Sequence, residues 1–185
     1  SNNIYITGNF SSSSIRFGND SALSLYPANG DENVFVAKFN SSGSIQWIKS
    51  GGGDYDSYGY GIGTDASGNV YVTGMFSSSY IRFGNDSLPL AVNGYYDIFV
   101  VKYNTSGAVQ WLRTAGADDD DEAYGLASDA SGNVYVTGFI GRSCTVSFGG
   151  SASITNTTQS LSPFLVKYNA AGTALWARTG QGGHY

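Results

Sequence analysis

A chain of 185 residues, 41% hydrophobic and 15% aromatic, is long enough to bury a core as one domain. Its formal charge of -5 and pI near 4.5 argue against a nucleic-acid partner, because holding a phosphate backbone takes clustered Lys and Arg. No apolar run approaches the roughly 18 residues needed to cross a bilayer, and the single cysteine, Cys144, excludes an internal disulfide framework and reads as a small apolar side chain.

Only 12% of the residues are charged, and 26 glycines with many Ser, Asn and Thr suit short strands joined by turns. In chain order, the opening "SNNIYITG" (Ser1–Gly8) aligns with the end of "DASGNVYVTG", which occurs unchanged at Asp65–Gly74 and Asp129–Gly138. Next, "DENVFVAKFNSSGSIQWIKSGG" (Asp31–Gly52) recurs as "YDIFVVKYNTSGAVQWLRTAG" (Tyr96–Gly116) and "SPFLVKYNAAGTALWARTG" (Ser162–Gly180). Trp47, Trp111 and Trp176 mark the period at spacings of 64 and 65, and Lys38, Lys102 and Lys167 keep those spacings. Three repeats follow, over about 1–52, 53–116 and 117–185.

Each repeat reads as strands. "YGYGIGTD" and "EAYGLASD" are short, small-residue segments (strand A); "NVYVTG" (B) and "IFVVKYN" (C) alternate and are β-branched or aromatic; "AVQWLRT" (D) follows a glycine-bearing turn. The order is B-C-D, A-B-C-D, A-B-C-D. A four-stranded antiparallel sheet that is apolar on both faces must be covered on both, which predicts an all-β fold of β-propeller blades. Gly59, Gly61 and Gly63 suit strand A to the crowded axis, while Lys49, Arg113 and Arg178 are expected as solvated cations on an outer edge strand.

The run D-x-S-G-N-V-Y-V-T-G, then D-x-F-V-x-K-Y-N-x-x-G (Asp97–Gly107), then Trp and a Gly/Asp-rich loop leading to Tyr-Gly, resembles the bacterial β-propeller repeat family often abbreviated SBBP. The resemblance covers nearly the whole chain and implies a scaffold in secreted or cell-surface proteins, with no catalytic residues to carry over. The third repeat departs from it at Ser162 and Pro163. Propellers commonly close with roughly four to eight blades, so three repeats are expected to belong to a larger propeller or to be completed by association.

Strand alternation puts the tight A-B and C-D turns on one face and the long B-C and D-A connections on the other. On the tight-turn face, Asp65 and Asp129 are expected to open turns by accepting backbone N-H groups. On the long-loop face, the B-C insertions predict small hairpins, with Gly84, Asn85 and Asp86 in the turn, Ile81 and Phe83 packed inward, and Arg16 and Arg82 at equivalent places. In the D-A loops, Asp118, Asp119, Asp120, Asp121 and Glu122 place five carboxylates in five residues, a run expected to be solvated unless it binds a cation. Asp118 with Asp120, and Asp54 with Asp56, are candidate calcium ligands.

Tyr55, Tyr95 and Tyr96 are expected on the loop face, where exposed Tyr among Ser, Asn and Gly suits adaptable protein or sugar binding. Tyr5, Tyr71 and Tyr135 are read as blade core. Catalysis has little to draw on, since the one histidine, His184, lies two residues from the end of the sequence and the acidic clusters have no evident apolar pocket. The expected function is a non-enzymatic extracellular or cell-surface scaffold binding a protein or glycan partner through the long-loop face. The alternative is a structural subunit of an extracellular fibre or coat that assembles through open blade edges and faces.

Overall fold

The computed structural model describes residues 2–23, 31–89 and 95–180, and every helix or strand among them is a strand. His184, Tyr185 and parts of the first two B-C insertions lie outside the described residues. In the first repeat the strands are β1 (Ile4–Phe10), β2 (Ser14–Phe17), β3 (Asp20–Leu23), β4 (Asn33–Phe39) and β5 (Ile45–Gly52). The second holds β6 (Ser57–Thr64), β7 (Val70–Phe76), β8 (Tyr80–Phe83), β9 (Asp86–Pro89), β10 (Asp97–Tyr103) and β11 (Val109–Ala115). The third holds β12 (Glu122–Ser128), β13 (Val134–Ile140), β14 (Thr145–Ser147), β15 (Ser153–Thr155), β16 (Ser162–Tyr168) and β17 (Ala174–Thr179).

Strands A to D pair with their sequence neighbours as antiparallel sheets, β6-β7-β10-β11 and β12-β13-β16-β17, with β1-β4-β5 in the first repeat. Stacked sheets of this kind make the fold all-β and propeller-like. All seven residues of both β7 and β10 are buried, because the middle sheet is covered on both faces. On β13 and β16 most side chains alternate between buried and open positions, so that sheet is covered mainly on one face.

The turns have one local design. Asn40, Asn104 and Asn169 open the C-D turns, and Asp65 and Asp129 the A-B turns. In each, the side-chain Oδ1 accepts the N-H groups two and four residues on, at 2.9–3.0 Å. Three residues on stands a glycine with φ between 76° and 79°, a conformation only glycine adopts without strain. The threonine of "VTG" is equally consistent: Thr7, Thr73 and Thr137 donate to the strand C carbonyls of Phe35, Phe99 and Phe164. The hydroxyl of the fully buried Thr73 is thereby satisfied.

The inner strands crowd as their glycines predict. A Cβ on Gly59 would stand 2.6 Å from Thr7 Oγ1, and one on Gly63 would stand 2.7 Å from Leu126 of the next repeat. Register shifts between Gly59 and Gly61 and between Ala123 and Gly125 bulge out Tyr60 and Tyr124, the equivalent residues of β6 and β12.

Two expectations change at the outer rim. Strand D of the first repeat is not a free edge, since β8 pairs with it through Gly51 and Phe83 and through Gly52 and Arg82, adding the hairpin β8-β9 to the preceding sheet. The glycines allow this approach, because a Cβ on Gly51 would overlap the Phe83 ring. Asp86 belongs to β9, paired with Phe83, so the turn is Gly84 and Asn85 alone. Ile81 and Phe83 are both fully buried. Phe83 lies 5.1 Å from Phe99 on its own strand C, ring centre to ring centre, and Phe17 and Phe148 repeat the contact with Phe35 and Phe164.

Arg113 also departs from its expected solvated role, and Lys38 and Lys102 of strand C act with it. Lys38 Nζ and Trp47 Nε1 both donate to the carbonyl of Thr105, in the C-D turn of the second repeat, at 3.0 and 3.2 Å. Lys102 and Trp111 donate in the same way to Ala170 of the third repeat, at 3.0 and 3.1 Å, and Arg113 Nε donates to Gly172 at 2.8 Å. These cations clasp one repeat to the next. They do so because a turn carbonyl left without a strand partner is a good acceptor for a charged donor held over aromatic rings.

Phe83→Ala is expected to cost about 3–5 kcal/mol in urea unfolding, and Phe17→Ala less, because Phe83 is fully enclosed and Phe17 half-buried.

Candidate functional site

The tight-turn face carries little free chemistry. Asp65 Oδ2 accepts Asn69 Nδ2 and the Tyr71 hydroxyl, and Asp129 repeats this with Asn133 and Tyr135. Burial works to raise the Asp65 carboxyl, but the bonds from Asn69, Tyr71 and Ser67 outweigh it and leave its pKa lowered. For Asp129 the Asn133 side chain leads in the same direction. Both are structural turn residues.

On the long-loop face, the acidic loop is tied down rather than solvated. Asp121 is fully buried, accepting the N-H groups of Ala117 at 2.6 Å and Gly141 at 2.9 Å. Asp119 accepts Arg142 N-H at 3.0 Å and pairs with its guanidinium at 3.3 Å. The odd-numbered pair, and not the predicted Asp118 and Asp120, laces this loop to the start of the B-C connection, because alternate side chains point to opposite sides of an extended segment. Asp118 is exposed, and half-buried Asp120 keeps one enclosed oxygen without a hydrogen-bond partner among the described residues. In the preceding repeat, Asp54 accepts the Tyr80 hydroxyl at 3.0 Å and Asp56 accepts Glu32 N-H at 2.9 Å. Among the described residues no three Asp, Glu, His or Cys side chains cluster as a metal site.

Burial pushes Asp121 up to about 7 against the pull of its two N-H donors, with Asp97 and Asp119 adding to the rise. Burial first, then the charges of Asp121, Asp119 and Asp118, push the Cys144 thiol up to about 11, and its Sγ lies 3.2 Å from the Gly141 carbonyl oxygen. A thiol so placed is a packing residue.

The predicted tyrosines are partly together. Tyr55 is 61% and Tyr95 75% exposed, whereas Tyr96 is half-buried with its carbonyl accepting Asp121 N-H and its ring 6.2 Å from Tyr58. From Tyr96 a row of rings continues through Tyr58, Tyr60, Tyr124 and Phe139, with successive centres 6.1, 5.2 and 6.2 Å apart beyond Tyr58. Tyr60, Tyr124 and Phe139 are each at least 40% exposed. Carboxylates border the row: Glu122 accepts the Tyr124 hydroxyl, and Asp56 lies beside Tyr58. Burial, then Asp56 and Tyr96, push the Tyr58 phenol up to about 12, so it remains an O-H donor at neutral pH.

Tyr58, Tyr60, Tyr124 and Phe139 are not among the site residues that the sequence predicts. The available signal was the recurrence of Tyr before Gly in both copies of strand A. Arg16 and Arg82 are exposed, but the structure does not bring Arg82 to the aromatic row. Its hairpin pairs with β5 at the outer rim of the first sheet, while Tyr58 and Tyr60 stand on β6, the inner edge strand of the second. Arg82 Nε donates to Gly84 within its own turn. A separate groove of about 510 Å³ lies at that rim, lined by Lys49, Asp86, Tyr103 and Val109.

No family model matches the chain. It is similar to an uncharacterized WD repeat-containing protein of Acanthamoeba polyphaga mimivirus, 25% identical over 169 residues, which is 80% of this chain and 12% of that protein. It is also similar to the regulatory protein FlaEY of Caulobacter vibrioides, 30% identical over 118 residues, or 60% of this chain and 12% of that one. The chain thus spans about an eighth of the length of the curated relatives it matches. A WD repeat relative and the sheet arrangement agree on a propeller-like repeat protein; no matching model supports the narrower SBBP resemblance.

Because the Asp121 carboxyl is raised in the folded state, its contribution favours folding at low pH and fades as pH rises from about 4, the ordinary carboxylate range, towards about 7. The stability difference between wild type and Asp121→Ser, which installs the residue found at the equivalent Ser57, is therefore expected to move in favour of the variant over that interval in denaturant titrations. Cys144 is expected to resist alkylation in the folded protein near pH 8 and to react fully once unfolded.

Proposed function

We propose that this chain is part of a non-enzymatic extracellular or cell-surface scaffold that binds a protein or glycan partner on its long-loop face. The observation that carries the reading is the aromatic row of half-buried Tyr58 and exposed Tyr60, Tyr124 and Phe139, bordered by Asp56 and Glu122. Flat rings stack on the apolar faces of sugars or on partner side chains, and phenols and carboxylates beside them pair with hydroxyl and amide groups. Tyr55 and Tyr95, both widely exposed, extend the same face.

A scaffold fits the chemistry available. The fixed carboxylates of the turns and of the acidic loop are engaged in hydrogen bonds to the backbone, and the thiol is held protonated. A WD repeat relative supports a role in holding partners over one in catalysis. Calcium enters as a ligand of Asp118 and Asp120, where an enclosed carboxylate oxygen lacks a hydrogen-bond partner among the described residues.

The Tyr60→Ala/Tyr124→Ala double variant is expected to retain the wild-type circular dichroism and to lose about tenfold or more in affinity, as removal of interface aromatics commonly does. Glycan-array and protein-capture binding of wild type and variant side by side is the measurement, repeated with calcium and with a chelator. Binding that is indifferent to both substitutions would refute the assignment of this row.

A further inference from the structure

The groove at the outer rim, where the first repeat meets the second, is built jointly by the two. Ile48 and Lys49 of β5 line it together with Asp86 of the hairpin and with Tyr103, Gly107 and Val109 of the second repeat. Its volume is about 510 Å³, within the range of about 300–1,000 Å³ usual for small-molecule sites.

The next junction, between the second and third repeats, has the same parts and a much smaller hollow. Arg113 stands there for Lys49, Gly149 for Gly84, Gly172 for Gly107 and Ala174 for Val109, and the space is about 180 Å³. Arg113 fills it, with Nε donating to the Gly172 carbonyl at 2.8 Å and Nη1 to that of Leu112 at 2.6 Å. Lys49 does not do the same. Its Cε lies 2.9 Å from the place of a Cβ on Gly107, and the half-buried side chain makes no hydrogen bond or ion pair among the described residues.

At both junctions a tyrosine is buried against the preceding tryptophan. Tyr103 is 1% exposed and packs on Trp47 at 6.1 Å and 35°, as Tyr168 packs on Trp111 at 6.2 Å and 35°. Neither hydroxyl has a hydrogen-bond partner among the described residues, which is rare for a buried O-H. Burial raises the Tyr103 pKa, so the group is kept as a donor. Of the two, only Tyr103 borders its groove.

We propose that this groove binds a small monocarboxylate with an apolar body. The carboxylate accepts from Lys49 Nζ and from the Tyr103 hydroxyl, two donors that have no acceptor among the described residues, and the body lies against Ile48 and Val109. The hydroxyl is enclosed, so the flexible four-carbon stem of Lys49 shifts off Gly107 for both donors to share one ligand. Asp86 sets the ligand's charge. An exposed carboxylate on the same groove repels a second negative charge, which disfavours dicarboxylates and phosphate dianions. The site stands at the outer rim and shares no residue with the aromatic row of the proposed function.

Isothermal titration of the whole chain with hexanoate tests this, with hexanol as the neutral probe, adipate as the doubly charged one, and amide NMR shifts to locate the ligand. Hexanoate is expected to bind more tightly than either and to move the amides of Lys49, Asp86 and Gly107. Lys49→Gln and Tyr103→Phe are each expected to weaken it about tenfold or more, the loss of a hydrogen bond to a charged group. Lys49→Arg, which copies the filled junction at unchanged charge, is expected to weaken it as well. Phe39 holds the equivalent of Tyr103 in the first repeat, and the half-buried Lys49 variants keep the test intact should Tyr103→Phe unfold. Asp86→Asn is expected to bring adipate closer to hexanoate in affinity. Hexanoate that does not bind, that binds no better than hexanol, or that binds the Lys49 variants as it binds wild type would overturn the proposal. The Tyr60→Ala/Tyr124→Ala variant is expected to take hexanoate normally, which separates this result from any failure at the loop face.

Discussion

A sheet with apolar side chains on both faces must be covered twice, and the structure is organised around that demand. The middle sheet is flanked by a neighbour on each side and has two fully buried central strands. What aligns the neighbours is polar: a lysine, a tryptophan and an arginine of one repeat aimed at turn carbonyls of the next. Apolar contact alone is non-directional and would tolerate sliding of one sheet over another. A charged donor on a fixed carbonyl does not. The hairpin phenylalanine adds a second constraint, filling the space that Gly51 leaves open.

The same economy separates structure from function across the molecule. On the tight-turn face every turn-opening Asp or Asn has its oxygen committed to backbone N-H groups, which leaves few groups there for a ligand. At the inner end of the other face, bulges in two equivalent strands turn Tyr60 and Tyr124 outward beside one another. A bulge sacrifices pairing at one residue and re-aims its side chain. That exchange converts a repeat built for packing into an exposed aromatic surface.

Much of the architecture was legible in the sequence because its causes are local. The 64- and 65-residue periods, the alternation of "NVYVTG" and "IFVVKYN", and the side-chain acceptors of the turns all act between residues a few positions apart. The crowding of Gly59, Gly61 and Gly63 was readable because the absence of a side chain is itself a spatial statement. The acidic loop was readable only as a cluster. Which carboxylates turn inward depended on meeting Gly141 and Arg142 some twenty residues away, and a run of five acids contains no mark of that meeting.

By itself, then, the sequence determined the strands, the turns and their repetition, since these arise from interactions within a few residues. The tertiary structure decided what identical residues do. Lys38, Lys102 and Lys167 stand at one position of the repeat, yet Lys102 is buried on a carbonyl of the next repeat and half-buried Lys167 pairs with Asp129 of its own repeat at 3.8 Å. Tyr60 and Tyr124, 64 residues apart in sequence, are neighbours at 5.2 Å. Contacts between repeats depend on how whole sheets are placed against one another, and that placement is set by burial over many residues at once, so no local pattern can encode it.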